Sequence, residues 1–340
     1  MPELTDPYEP STQPQPQRDF WKRPYVQRPE GGKPVPYTRC TTFVSAIEDT
    51  YKLGLWQQRH VARGVAFHRD LVELIAKTDA DDRDEMDRLV ELARERSGAG
   101  DAARLGTYLH AVTEAADRGQ DPGEVELPLQ SYGLLDPTPY VAHLAAYLRA
   151  TEELKAVEIE AFLVNDPLKV AGTTDRVVVY QGKRYIADLK TGRSVTEWGY
   201  HKIAAQLAMY ARSRPYDFIE HQRLEPHGAE LDRGILIHLP AEGEQAGTCT
   251  LWWVDLMQGW EIVQLCRNVR ATRAVRSGQI FRELHPLPAA PLTLADQIRL
   301  AQSRDAVTAI WRAHPQEWTD ELTELAKVHI ANLNPERTPA

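Results

Sequence analysis

Residues 171–210 have the sequence AGTTDRVVVYQGKRYIADLKTGRSVTEWGYHKIAAQLAMY, and this stretch decides the fold. Thr174 to Tyr180 is rich in β-branched and aromatic side chains, which is typical of a strand. Gln181-Gly182-Lys183 predicts a tight turn, and Arg184 to Lys190 predicts the returning strand. Trp198 to Ser213 then predicts a helix.

Two carboxylates and a lysine fall at matched positions of this predicted hairpin. Asp188 and Lys190 are two residues apart, so their side chains leave the same face of a strand. Asp175 opens the neighbouring strand, and we expect it to reach that face too. Two converging carboxylates repel each other unless a positive charge lies between them. Because carboxylate oxygens on a rigid scaffold suit a hard divalent cation, the hairpin predicts a Mg²⁺ or Mn²⁺ site beside a lysine.

This pattern resembles that of the PD-(D/E)XK nuclease superfamily. Three segments are similar to its RecB-type exonuclease branch, and in particular to nucleases of actinobacterial phages: Gly172-Thr-Thr-Asp175, Asp188-Leu-Lys190-Thr-Gly192 and Gln206-x-x-x-Tyr210. That branch also carries a histidine on an earlier helix, in a setting similar to Gly106-Thr-Tyr-Leu-His110. The resemblance covers Thr38 to Arg282 and implies cleavage of phosphodiester bonds.

The resemblance implies an α/β (α+β) fold with an αβββαβ core of the restriction-endonuclease type. We expect a mixed sheet flanked by helices, preceded by a helical region, and the order of the predicted elements agrees with this. Residues 1–37 hold nine of the 23 prolines, so we predict a disordered tail over 1–38. The nuclease domain is predicted over 39–285, helical to 155 and catalytic from 156. A linker and a small helical segment are predicted over 286–340.

The resemblance also implies the roles of the site residues in metal-assisted hydrolysis. Lys190 is expected to orient the attacking water and to stabilise charge on the phosphate in the transition state. The pattern alone leaves His110 open between a ligand and a structural histidine, and the resemblance favours the ligand. The catalytic residues predicted in this way are Asp175, Asp188, Lys190, Gln206 and Tyr210, and the predicted metal ligands are His110, Asp175, Asp188 and the main-chain carbonyl of Leu189.

The net charge of −9 does not indicate nucleic-acid binding, so any basic surface must be local. Trp260 to Arg276 predicts a helix with arginines at every third position, which would form a basic strip. A solvated basic face is the alternative interpretation. The candidate phosphate contacts are Arg193, Lys202, Arg267, Arg270 and Arg273.

Composition excludes several other classes. The CRISPR-associated adaptation exonucleases resemble this chain but hold an iron–sulfur cluster. Such a cluster needs four thiolates, and the three cysteines here, Cys40, Cys249 and Cys266, lead us to expect none.

The sequence lacks GxxxxGK[ST], so any ATP-driven motor would be a separate protein. No apolar run reaches the roughly 18 residues that span a bilayer, and the N-terminus lacks signal-peptide features. We therefore expect a protein of the cytoplasm (the host cytoplasm if a phage encodes it), with no membrane partner.

The function that the resemblance implies is a Mg²⁺- or Mn²⁺-dependent DNA exonuclease of phage DNA recombination, replication or repair. Its partner would be DNA, and a separate helicase, recombinase or single-strand-binding protein would be a candidate second partner. Two alternatives stay open. One is an endonuclease of the same fold, and the other is a non-cleaving DNA-binding subunit of a recombination complex.

Overall fold

The computed structural model describes residues 15–127, 129–130, 133–134, 140–281, 284 and 291–333. The chain divides into two compact units, Met1–Ala274 and Val275–Ala340. Short 3₁₀ turns lie at Ser45–Ile47 and Pro122–Glu124. The α-helices described in the first unit are α1 Cys40–Val44, α2 Tyr51–Phe67, α3 Arg69–Lys77, α4 Arg83–Arg96, α5 Asp101–Asp117, α6 Tyr140–Ala150, α7 Tyr200–Ala211 and α8 Leu256–Arg273.

The strands described in the first unit are β1 Tyr25–Val26, β2 Val35–Pro36, β3 Thr38–Arg39, β4 Leu129–Gln130, β5 Gly133–Leu134, β6 Lys155–Asn165, β7 Val170–Tyr180, β8 Lys183–Lys190, β9 Arg214–Asp217, β10 Gln222–Arg223, β11 Arg233–His238 and β12 Thr250–Asp255. Most of them form one mixed sheet in the order β10-β9-β6-β7-β8-β11-β12, with β3 beside β7. The β8–β11 and β3–β7 pairs are parallel and the other pairs of this sheet are antiparallel.

The hairpin that the sequence predicts forms the centre of this sheet. Strands β7 and β8 pair antiparallel, with Arg176 opposite Ala187 and Tyr180 opposite Lys183. Gln181 and Gly182 both have positive φ angles, of 48° and 78°. A two-residue loop with two positive φ angles is a type I′ turn, whose twist matches the right-handed twist of the strands. The turn is therefore shorter than predicted, and the returning strand begins at Lys183.

Helices cover both faces of the sheet. Ile186 packs in a core with residues of α1, α7 and α8, whereas the next residue, Ala187, packs in a core with Tyr147 of α6. Successive residues of a strand point to opposite faces of the sheet. Because Ile186 and Ala187 are both apolar, both faces of the sheet must be covered here. Gly259 lets α8 approach α7 closely, since a Cβ there would lie 2.3 Å from the Ala204 carbonyl oxygen. The mixed sheet flanked by helices confirms the predicted fold class.

Residues 15–38 differ from the disordered tail that the sequence predicts over 1–38. Strands β1 and β2 pair antiparallel, and Val26 and Tyr37 are buried in a core with Phe162 of β6. The Tyr37 hydroxyl donates a 2.8 Å hydrogen bond to Asp166, in the turn between β6 and β7. A proline-rich composition predicts disorder when a segment has few apolar side chains to bury. Here Val26 and Tyr37 are buried against the sheet.

The second unit is a small helical assembly within its described residues. Its helices are α9 Ser277–Ile280, α10 Leu294–Leu300, α11 Arg304–Ala313 and α12 Asp320–Leu333. Its core contains Ile298, Ala301, Val307 and Ala326. Most of the predicted linker lies outside the described residues, and the predicted domain boundaries stay predictions. Among the helices that the structure describes, none combines the length and the apolar character that crossing a membrane requires.

Candidate active site

The core of the site is the end of β8 beside Asp175 of β7. The Leu189 backbone N–H donates a 2.8 Å hydrogen bond to Asp175 Oδ2. A strand residue directs its N–H and its carbonyl to the same side, because both take part in one hydrogen-bonded pair. The Leu189 carbonyl therefore leaves the strand on the side of Asp175, as a main-chain metal ligand would require.

Asp188 is fully buried, and its partners are held on either side of it. Its Oδ2 forms an ion pair with the Lys190 ammonium. Burial raises the pKa of the Asp188 carboxyl, Lys190 opposes this shift and Asp175 adds to it. Burial works against the charged form of Lys190, but Asp188 and Asp175 outweigh it and raise the pKa of the ammonium. The lysine is therefore a fixed positive charge next to two carboxylates.

Helix α7 contributes Gln206 and Tyr210, which lie four residues apart on one face. Gln206 donates a 3.3 Å hydrogen bond through Nε2 to Asp188 Oδ1. The Tyr210 hydroxyl lies against Gly172 of β7, where a Cβ would come within 2.8 Å of it. Gly172 is therefore required by the close approach of this tyrosine. Gln206 therefore contacts one of the two carboxylates that the sequence predicts as metal ligands.

Helix α5 brings His110 to the same group. Its Nδ1 lies 3.5 Å from Asp175 Oδ2, and the imidazole side chain is 32% exposed. Gly106, one turn earlier, allows this approach, since a Cβ there would lie 2.7 Å from the Thr191 hydroxyl that follows β8. Burial lowers the pKa of His110, although Asp175 opposes the shift. A lowered pKa favours the neutral imidazole, which is the form that binds metal ions.

Two further carboxylates lie in the electrostatic environment of Asp175. Desolvation, together with Asp175 and Glu114, raises the pKa of Glu160 to about 8. Glu160 has a φ of 54°, in the left-handed region that a residue other than glycine seldom adopts. Glu114, one turn after His110 on α5, pairs with Arg118 at 2.9 Å. Several carboxyl groups therefore surround Asp175. A bound divalent cation would reduce the electrostatic repulsion between them.

The structure distributes the predicted DNA-binding residues over three elements. Arg193 follows β8 and contacts the loop at Gly243. Lys202 of α7 forms a 2.9 Å ion pair with Glu48. On α8, the Arg270 guanidinium lies 5.2 Å from the centre of the Phe43 ring and 3.4 Å from the Thr38 hydroxyl. Arg267 and Arg273 are exposed on the same helix. These contacts leave the proposed phosphate-binding role of the five residues as a prediction.

The donor set fits a hard divalent cation by its chemistry. It offers two carboxylates, a main-chain carbonyl and an imidazole. Within the described residues, however, no three acidic, histidine or cysteine side chains converge on one point that could hold a metal ion. At Asp188 the ammonium of Lys190 lies against the carboxylate oxygen. The carboxylates are therefore balanced here by the lysine.

The comparison with protein families decides how this group of residues is interpreted. Residues 50–212 match the PD-(D/E)XK nuclease superfamily. The matched segment supports this superfamily and a nuclease function in general, and all six predicted site side chains lie within it: His110, Asp175, Asp188, Lys190, Gln206 and Tyr210. Nucleases of the PD-(D/E)XK superfamily typically use divalent metals.

Two other comparisons add little to this assignment. No curated protein matches the chain. Among solved structures, the crystal structure of SSO0001 is 14% identical and covers 67% of this chain and 90% of its own, with a TM-score of 0.25. A TM-score this low carries no argument about fold or function.

Sequence reasoning missed several residues at this site. Cys40 and the Tyr210 hydroxyl both lie beside Gly172, where an added Cβ would come within 3.1 Å of Cys40 Cβ and 2.8 Å of the hydroxyl. Arg18 and Arg39 line the cavity that Asp175 also lines. Each of the three lies more than 130 residues from its neighbours at the site, and no local pattern in the sequence marks it.

Proposed function

We propose that this chain is a metal-dependent DNA exonuclease of the RecB-type branch. The observation that best supports the proposal is the geometry at the end of β8. There Asp175 accepts a hydrogen bond from Leu189 N–H, and the buried carboxylate of Asp188 lies between Lys190 and Gln206. A structural ion pair would require neither the second carboxylate nor a main-chain carbonyl aimed at it.

In this proposal Asp175, Asp188, His110 and the Leu189 carbonyl hold Mg²⁺ or Mn²⁺. The bound ion would supply Lewis-acid polarisation of a phosphate oxygen and a water of lowered pKa. Lys190, held charged by its neighbours, orients the attacking water and stabilises negative charge on the phosphate in the transition state. No iron–sulfur cluster has a part in this mechanism.

The α7 residues keep this arrangement in place. Gln206 donates a 3.3 Å hydrogen bond to Asp188. This bond holds the carboxylate in one orientation, with or without a bound metal ion. Tyr210 packs where Gly172 leaves space for its hydroxyl, so this side chain brings α7 into contact with β7. We therefore assign both residues positioning roles in the reaction.

The biological setting belongs to the same proposal. We propose that the enzyme acts on DNA ends in phage recombination, replication or repair, in the cytoplasm of the host. Since the sequence has no P-loop, any helicase that supplies single strands would be a separate protein, and a recombinase or single-strand-binding protein would receive the product.

The test is digestion of labelled DNA in four forms: linear and closed circular, each single- and double-stranded. Reactions contain Mg²⁺, Mn²⁺ or a chelator. We expect linear DNA to shorten progressively from its ends while closed circles persist, and the chelator to stop the reaction. Rapid cleavage of circles would favour the endonuclease alternative. Binding without cleavage of any form would favour a non-cleaving subunit.

A further inference from the structure

A cavity of about 1040 Å³ opens directly onto the candidate active site. Its lining includes Asp175, Gln206 and Tyr210 of the candidate site. The lining also includes residues from the N-terminal part of the chain: Gln15, Pro16, Arg18, Asp19, Phe20, Lys22, Arg39, Cys40 and Thr41. These N-terminal lining residues precede residue 50, where the family match begins, so the comparison assigns them no role. We refer to Arg18, Phe20, Trp21, Lys22 and Arg39 as the N-terminal turn surface.

Two large aromatic side chains on this surface point into solvent. Phe20 is 89% exposed and Trp21 is 70% exposed. Their ring centroids are 5.8 Å apart and their planes are nearly perpendicular, at 85°. Phe20 lines the cavity, and Trp21 is the next residue, with the Arg23 guanidinium 5.1 Å from its ring centre; neither ring has a role in the core. They expose apolar faces on which a planar ligand can stack.

The backbone holds these rings in a defined position. Asp19 N–H donates to the Arg23 carbonyl at 3.0 Å, and Lys22 N–H donates to the Asp19 carbonyl at 2.9 Å. The Asp19 carboxylate also forms a 2.7 Å ion pair with Arg23. Lys22 closes the turn with a positive φ of 60°, in a region that costs a lysine conformational energy. The two rings are therefore displayed by an ordered turn.

Three cations line the same cavity. Arg18, Lys22 and Arg39 contribute to its wall, and none of the three forms an ion pair with a carboxylate in the part of the chain that the structure describes. Asp19, the acidic residue of this wall, is paired with Arg23. Burial, and then the charge of Arg39, lower the pKa of Arg18. Three positively charged side chains thus line the cavity that Asp175 also lines, and the phosphates of a nucleic acid would neutralise them.

We propose that the N-terminal turn surface binds one strand of DNA and leads it to the active site, an inference that rests on the proposed nuclease function. The phosphates would contact Arg18, Lys22 and Arg39, and unpaired bases would stack on Phe20 and Trp21. Bases in a duplex are stacked on each other and cannot present their faces to a side chain. The combination of aromatic rings and cations therefore selects a single-stranded segment.

The charge of the whole protein supports this assignment. With a net charge of −9, the chain as a whole repels DNA, so binding must depend on a local basic surface. The predicted strip on α8 includes Arg270, which already contacts Phe43 and Thr38. The N-terminal turn surface combines cations with aromatic rings, and its cavity reaches Asp175.

The test measures binding in the absence of cleavage. The fluorescence anisotropy of a labelled single-stranded oligonucleotide, and of a blunt duplex of the same sequence, is measured with a chelator present. The variants are the double variant Phe20→Ala/Trp21→Ala and the control Phe67→Ala. Phe67 lies on α2 and is also strongly exposed, at 75%, so it controls for the loss of an exposed ring.

We expect the double variant to weaken single-strand binding by about tenfold or more, since stacking contributes about one tenfold factor per base. Duplex binding and the Phe67→Ala variant should match the parent. Arg18→Ala/Arg39→Ala should lower the salt dependence of single-strand binding by about 1.4 log units per log unit of salt, because each phosphate contact contributes about 0.7.

Parental single-strand affinity in the Phe20→Ala/Trp21→Ala variant would overturn the proposal. An equal loss of duplex affinity would also overturn it, since stacking on unpaired bases would then not be the cause. Cleavage is measured separately with Mn²⁺. If the parent cleaves no DNA while the variants lose single-strand binding as expected, the nuclease function fails but the binding surface stands.

Discussion

Arg176 and Asp117 form a buried ion pair that ties helix α5 to strand β7. Arg176 Nε donates a 2.5 Å hydrogen bond to Asp117 Oδ2, and the arginine side chain is 3% exposed. A second nitrogen of Arg176 donates to the Thr113 hydroxyl at 2.9 Å. Arg176 directly follows Asp175, and Asp117 lies two helical turns beyond His110. The pair therefore fixes the helix that carries His110 against the strand that carries Asp175.

The first prediction concerns this pair. Asp117→Asn would leave the buried guanidinium without a carboxylate, and we expect it to lower the free energy of unfolding by about 3–5 kcal/mol. Asp87→Asn, an exposed carboxylate on α4, should change it by less than about 0.5 kcal/mol. Urea denaturation followed by circular dichroism measures the free energy of unfolding of both variants. Equal stabilities of the two variants would show that the pair does not hold α5 in place.

The second prediction concerns pH and Asp166, at the turn between β6 and β7. Asp166 accepts hydrogen bonds from Arg223 Nε and from the Tyr37 hydroxyl, both at 2.8 Å. Burial works against its charge, but these partners outweigh burial and lower its pKa. A carboxyl group whose pKa is lower in the folded state than in the unfolded state stabilises the fold when it is charged. This stabilisation is complete above the pKa of the unfolded state, about 3.9, and is lost as the pH falls through the pKa of the folded state.

Asp166→Asn should therefore cost about 1–3 kcal/mol at pH 7, and the difference from the parent should shrink below about pH 4. Denaturation curves of parent and variant between pH 3 and pH 7 measure it. A difference that stays constant across this range would show that the charge of Asp166 does not stabilise the fold.

The third prediction concerns the packing of α7, which carries Gln206 and Tyr210. Gly259→Ala would place a Cβ 2.3 Å from the Ala204 carbonyl oxygen, so the two helices must separate, at a cost of about 1–3 kcal/mol. Gly54→Ala is the matched control, since a Cβ at Gly54 meets no atom within 4 Å. We expect it to stabilise α2 by up to about 1 kcal/mol. The melting temperatures of both variants are measured. If Gly259→Ala raised the melting temperature as Gly54→Ala is expected to do, close packing of α8 on α7 at Gly259 would be contradicted.

The sequence predicts the hairpin because its signals are local. The β-branched run before Gln181 and the two-residue period between Asp188 and Lys190 are properties of neighbouring residues, and both appear in β7 and β8. The glycines of the predicted motifs have physical reasons that only the fold reveals. Gly172 makes room for Tyr210, and Gly106 makes room for Thr191.

Long-range contacts could not be predicted in this way. The pairing of Arg176 with Asp117 joins residues 59 positions apart, and nothing near either residue indicates it. The N-terminal segment was predicted to be disordered because prolines dominate its composition. Its order depends on contacts with residues far along the chain, such as that of Tyr37 with Asp166 across 129 positions. Composition reports on local preference and contains no information on such contacts.

The fourth prediction tests His110 as a metal ligand, within the proposed function. His110→Ala should slow DNA cleavage at least about tenfold, and the concentration of Mn²⁺ needed for half-maximal rate should rise. His201→Ala, an exposed histidine on α7, is the control and should behave as the parent. Cleavage rates over a Mn²⁺ titration measure both. A parental rate at low Mn²⁺ would show that His110 is a structural residue beside Asp175.

The most direct test of the account is the cleavage rate of Asp188→Asn on labelled linear DNA with Mn²⁺, measured beside Asp87→Asn. The asparagine keeps an oxygen for the Gln206 hydrogen bond but removes the charge that a metal ion requires. Circular dichroism and melting first establish that the variant is folded. We predict that Asp188→Asn binds DNA but cleaves none of it, while Asp87→Asn cleaves at the parental rate. Cleavage by folded Asp188→Asn at the parental rate would contradict metal-dependent hydrolysis at this site.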